Sequence, residues 1–152
     1  MARSLLIVYH SQSGNAESLS KAVEAGAIRV AGVTVTRKRA SATIADDLIS
    51  YRCLVICSPE YFGYMAGAVK DLFDRCYEDV REHMLGKSFA VVVSAGNDGT
   101  GALTSIERII AGFRMKKAQE PIICRGQITS EHRSLCEQLG ETLAAGIDLG
   151  IY

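Results

Sequence analysis

The stretch Leu5-Leu6-Ile7-Val8-Tyr9, continuing as His10-Ser11-Gln12-Ser13-Gly14-Asn15-Ala16-Glu17, decides the fold. Five consecutive apolar residues mark a strand buried on both faces, the kind found in parallel sheets covered by helices. The polar segment after it leads into Leu19, Val23 and Ala27, which share one face of a helix. A buried strand, a tight polar turn and an amphipathic helix make the first half of a β-α-β unit.

The rest of the chain repeats that alternation. Cys53-Leu54-Val55-Ile56-Cys57 and Phe89-Ala90-Val91-Val92-Val93 are again continuous apolar runs, which belong in the middle of the sheet. Val33-Thr34-Val35-Thr36 alternates apolar with polar, and Ile122-Ile123-Cys124 is short and follows Pro121, so both are placed at edges. Between the runs, Val69, Leu72, Phe73, Cys76 and Val80 fall on one helical face, as do Leu103, Ile106, Ile110 and Phe113. A last helix should start near Ser130 and bury Leu135, Leu139 and Leu143, while Ala42 to Ser50 has room for only one or two turns. The pattern predicts one α/β domain over residues 1–152. It is a doubly wound, five-stranded parallel sheet of order 2-1-3-4-5 with helices on both faces, the flavodoxin-like arrangement.

Composition narrows the function. The 152 residues, 48% of them hydrophobic, are enough for one buried core. Seventeen basic and seventeen acidic side chains leave no global field to hold a nucleic-acid backbone or an anionic membrane, so neither is an expected partner. Apolar runs of about five residues fall far short of the roughly 20 a spanning helix needs. The apolar stretch after Arg3 is too short for a signal-peptide core, so the expected location is the cytoplasm. The five cysteines, odd in number and set in apolar segments, read as buried reduced thiols without zinc-ligand spacing, and no metal is expected.

In open α/β sheets ligands bind outside the carboxyl ends of the strands at the switch point, which points to the loops after strands 1, 3 and 4. The first, His10 to Glu17, offers backbone N–H groups, two hydroxyls and a glycine at a helix start, an anion cradle. No Lys or Arg lies between Arg3 and Lys21, so its donors are neutral. The alternative is an ordinary turn capped by Ser13 or Asn15. The second loop, Ser58 to Gly67, gathers Tyr61, Phe62 and Tyr64, rings able to stack a planar conjugated ligand such as an isoalloxazine or, alternatively, to cover the sheet end. The third, Ser94 to Gly101, has three glycines in eight residues and no aromatic, suiting a close backbone approach with one ring face left open. Dinucleotide (G-x-G-x-x-G), Walker and nucleophile-elbow motifs are absent.

Leu6 to Asn15 resembles the phosphate loop of flavodoxin-like FMN proteins. Ser58-Pro59-Glu60-Tyr61-Phe62-Gly63-Tyr64-Met65-Ala66-Gly67-Ala68-Val69-Lys70-Asp71 is similar to the second flavin loop of the WrbA-like NAD(P)H:quinone oxidoreductases and the NAD(P)H-dependent FMN reductases. The resemblance implies noncovalent FMN with its phosphate at Ser11, Gln12, Ser13, Gly14, Asn15 and Ala16. It implies ring contacts at Pro59, Glu60, Tyr61, Phe62 and Gly63, and edge contacts from Ser94, Ala95, Gly96, Asn97, Asp98 and Gly99. Ala16 stands where flavodoxins commonly carry a hydroxyl. The implied activity is hydride transfer from NAD(P)H through FMN to a quinone or flavin, with no catalytic side chain because the cofactor carries the chemistry. A homodimer is compatible with it. The competing readings are a flavodoxin-type electron carrier, which typically steers partners with strong negative charge that this chain lacks, and a flavin-binding protein without turnover. Arg37-Lys38-Arg39 is read as a solvated basic turn beyond the second strand, the alternative being a contact for an NADPH 2′-phosphate, and His10 is given no role.

Overall fold

The computed structural model describes residues 2–152. In chain order the elements are β1 (Ser4–Tyr9), α1 (Asn15–Ala27), β2 (Thr34–Arg39), α2 (Ala45–Ser50), β3 (Cys53–Tyr61), β4 (Tyr64–Met65) and α3 (Gly67–Val80). There follow β5 (Ser88–Ala95), α4 (Thr100–Gly112), β6 (Lys116–Lys117), β7 (Ile122–Arg125) and α5 (Ser130–Asp148). β1 pairs in parallel with β2 on one side and β3 on the other, and β3 pairs in parallel with β5. The edge beyond β5 is made in two pieces, β6 against Ser88 and Phe89 and β7 against Val92 to Ala95. This is the 2-1-3-4-5 order with its last strand divided. The chain leaves the ladder just before Pro121, whose nitrogen has no hydrogen to give it.

The continuous apolar runs are explained by the two faces of the sheet. Leu6, Val8, Leu54, Ile56, Val91 and Val93 enter the core beneath α2, α3 and α4. Leu5, Ile7, Val55, Ala90 and Val92 enter the one beneath α1 and α5. On that second face α1 and α5 are in backbone contact. A Cβ on Gly26 would stand 1.8 Å from the Glu137 carbonyl oxygen, and one on Gly140 1.9 Å from that of Val23. Both helices descend from carboxyl ends of parallel strands, so both begin at that end of the sheet, and they meet further along, at Val23 to Ala27 of α1 and Glu137 to Gly140 of α5.

Three expectations are corrected. The second strand runs to Arg39, so Arg37, Lys38 and Arg39 are strand residues and not a turn; they pair with Glu24 at 3.2 Å, Asp47 at 2.9 Å and Glu17 at 3.6 Å. Opposing carboxylates on α1 and α2 allow this run of cations to sit in an edge strand. β3 continues past Cys57 to Tyr61, so Ser58, Pro59 and Glu60 begin as strand. Leu135 is 49% exposed, because the buried stripe of α5 runs through Cys136, Leu139, Gly140, Leu143 and Ile147 and Leu135 lies roughly a quarter turn off it. Among the described residues no helix is long and apolar enough to cross a membrane, and all five cysteines are free and buried. Burial pushes the Cys53 thiol up to about 12.

Candidate functional site

The carboxyl ends of β1, β3, β5 and β7 surround an open cavity of about 540 Å³, within the range of small-ligand sites. The first wall is the β1–α1 turn. Gly14 caps α1 in the left-handed conformation at φ 97, a backbone shape that costs L residues about 1–2 kcal/mol. Its N–H donates to Ser11 Oγ at 2.9 Å, and no side chain caps the helix. Among the described residues the N–H groups of Asn15, Ala16 and Glu17 therefore have no acceptor. Ser13, Gly14, Asn15 and, one turn on, Ser18 face the cavity, whereas Gln12 is exposed outside it and Ala16 is buried beneath. Glu17, the acid of this first turn, accepts from Tyr9 Oη at 3.1 Å and pairs with Arg39.

The second wall is the end of β3. Pro59, Glu60 and Tyr61 line the cavity before the chain reverses at Phe62-Gly63 into β4. Tyr61 meets His10 edge-on at 6.1 Å, and burial together with the charge of Arg39 lowers the His10 pKa, favouring a neutral ring. Phe62 and Tyr64 do not line this cavity: Phe62 projects fully into solvent, and Gly63 and Tyr64 line a separate groove of about 400 Å³ with the start of α4. Glu60 is engaged on its other side. Its two carboxylate oxygens accept from the N–H groups of Gly99 and Ala102, each at 3.0 Å, closing the N-terminus of α4.

The third wall is Ser94, Ala95 and Gly96. Asn97 and Asp98 are exposed and outside it. Gly99 is buried against β7, where a Cβ would meet the Ile123 side chain at 2.5 Å. Only Gly96 of the loop glycines combines a place in the lining with open space around its Cα.

The fourth wall escaped sequence reading. Gly126, Gln127 and Ile128 follow β7, and Arg133 of α5 joins them. Gly126, at φ 75, follows the carboxyl end of β7, which lies beyond the strands 1, 3 and 4 whose loops flank the switch point. With Arg133 the cavity contains a cation, in addition to the neutral donors of the first turn.

Solved structures with this fold include a flavodoxin from the domain Archaea, at TM-score 0.82 and 21% identity over 95% of this chain and 99% of that one. A WrbA-like flavodoxin from Agrobacterium tumefaciens superposes at TM-score 0.78 with 13% identity, covering 97% of this chain and 99% of its own. In sequence, an NAD(P)H dehydrogenase (quinone) of Acidithiobacillus ferrooxidans is 27% identical over 123 residues, a match that takes in 67% of this chain and spans 62% of that relative's length. Residues 11–128, from the first wall of the cavity to the fourth, match the profile of one family, and by that match the chain belongs to the NADPH-dependent FMN reductases.

Proposed function

We propose that the protein holds one FMN noncovalently in this cavity and serves to pass hydride from NAD(P)H to a small acceptor, a quinone or a second flavin. The observation that carries the reading is the set of unpartnered N–H groups at Asn15, Ala16 and Glu17, in a first turn whose Gly14, Asn15 and Ser18 line the same cavity as Tyr61 and the strand end Ser94 to Gly96. One end suits a phosphate, which helix N-termini accept through backbone N–H groups and the helix dipole. The other suits a planar ring, with an aromatic on one side and polar backbone at its edge. When bound, FMN supplies a two-electron acceptor and donor, so the chain needs no nucleophile or general base.

The chain's work is positioning. The first turn fixes the phosphate end, Tyr61 packs the ring and shields it from water, and Gly96 leaves space beside it for a second planar molecule. The relative named for NAD(P)H and quinone supports the donor and the acceptor class. Balanced charge argues against a carrier that docks proteins by an acidic surface.

Anaerobic rapid mixing tests the proposal. NADPH or NADH should bleach the bound flavin, and a small quinone should restore its colour over repeated cycles. Asn97→Trp, set beside the open flank, should slow the bleaching by about tenfold or more while leaving FMN affinity within a few fold, because it obstructs the stacked encounter and not the phosphate end. If neither nicotinamide reduces the flavin and a protein reductase does, the carrier reading replaces this one.

A further inference from the structure

We infer that Arg133 is the charged anchor of the phosphate end, and that it sets the preference for a phosphorylated flavin over riboflavin. The inference rests on reading the cavity as an FMN site and adds to it a residue on a different element from the phosphate turn.

Position is the first support. Arg133 lies in the first turn of α5 and lines the same cavity as Ser13, Gly14, Asn15 and Ser18. α1 and α5 cover the same face of the sheet, in backbone contact at Gly26 and Gly140, and both begin at the end of the sheet where the cavity opens. At the start of α5, Thr129 Oγ1 accepts from the His132 N–H and His132 Nδ1 from the Thr129 N–H, both at 3.2 Å, so this capping box takes up two of that end's donors.

Charge is the second. Arg133 is the one cation among the cavity-lining residues, and among the described residues no carboxylate pairs with it. Its natural helical partner four residues on, Glu137, is instead 3.3 Å from Arg29. The neighbouring basic run is occupied: Arg37, Lys38 and Arg39 each have a carboxylate. The α1 turn supplies N–H groups and hydroxyls but no cation, its one acid, Glu17, pairs with Arg39, and Ala16 adds only a methyl. A phosphate monoester carries about −1.5 to −2 at neutral pH, and a guanidinium answers it with paired, charge-assisted hydrogen bonds.

The test is a fluorescence titration of the full-length protein with FMN and with riboflavin, comparing wild type, Arg133→Gln and Arg133→Lys at low and high salt. Arg133→Gln should weaken FMN by at least about tenfold while riboflavin changes less than about twofold, since only the charged hydrogen bonds to phosphate are lost. Lysine should recover part of the loss, and the salt dependence of FMN binding should flatten in the glutamine variant. Unchanged riboflavin binding shows that the variant is folded. A wild type that prefers FMN and an Arg133→Gln variant with the same preference would overturn the inference while leaving the FMN site intact. The same holds if FMN binding is unchanged and only the KM for NADPH rises, which would give Arg133 to the dinucleotide's phosphates. A wild type indifferent to the phosphate would remove both the FMN reading and this one.

Discussion

Phe62 is the residue whose placement is hardest to account for by folding alone. It sits at φ 54 beside Gly63 at φ 68, the two central positions of a two-residue hairpin between the paired Tyr61 and Tyr64. Positive φ at both positions defines a turn that favours Asn-Gly, and a bulky aromatic at the first of them carries backbone strain of about 1–2 kcal/mol. The side chain gains nothing in return, being fully exposed. Strain without a packing benefit points to a ligand at the hairpin tip. Phe62→Asn should therefore raise stability in the flavin-free protein by about 1 kcal/mol while weakening flavin binding. Thermal unfolding and a flavin titration check the two halves, and a stabilised variant with unaltered affinity would remove Phe62 from the site. Gly14 was legible as a point of tight turning, though the cap falls on Gly14 itself and not on Ser13 or Asn15. Gly99 is a second left-handed cap, at φ 88, before α4. The contacts of Gly99 with Ile123 and of Gly101 with the backbone of Gly63 are encoded by no local pattern.

Among the elements, the β3–β4 hairpin and the start of α4 behave as one unit. A Cβ on Gly101 would stand 2.1 Å from the Gly63 carbonyl oxygen, Met65 N–H donates to Ser105 Oγ at 3.1 Å, and the Glu60 carboxylate takes two N–H groups of the α4 N-terminus. Sequence reading took Glu60 as a contact for the ring. Its hydrogen bonds show a clasp that fixes the second wall of the cavity against the third. Glu60→Gln keeps the shape but can accept from only one of the two N–H groups, so it should cost about 1–2 kcal/mol in denaturant unfolding and loosen flavin binding as well. If stability is unaltered and only flavin affinity falls, the side chain serves the ligand directly. The strands and helices were readable because each depends on its own periodicity. The clasp and the fourth wall were not, since they join residues about 40 or more positions apart whose proximity exists only in the folded sheet.

At the scale of the whole molecule the sheet order followed from the apolar runs, because a strand buried on both faces cannot alternate and an edge strand can. The division of the last strand and the closeness of α1 to α5 did not. The core beneath those two helices mixes Leu5, Ile7, Leu19 and Leu143 with the smaller Ala90, Cys53, Cys57, Cys124 and Cys136, and Gly26 and Gly140 lie between the helices. Isolated helical glycines are ambiguous in a sequence: each costs about 1 kcal/mol relative to alanine, so replacing one on an open surface stabilises. Here the sign reverses. A methyl on Gly140 would lie 1.9 Å from the Val23 carbonyl oxygen and 3.0 Å from the Ala27 nitrogen, backbone atoms that can yield only if α1 moves. Gly140→Ala should thus lower stability by about 1–3 kcal/mol, roughly 2–4 °C in Tm per kcal/mol for a domain of this size. It should also weaken ligand binding, since α1 and α5 each contribute a wall of the cavity from their first turns. A rise in Tm would mean that the two backbones are not in contact and that α1 can shift against α5 without cost.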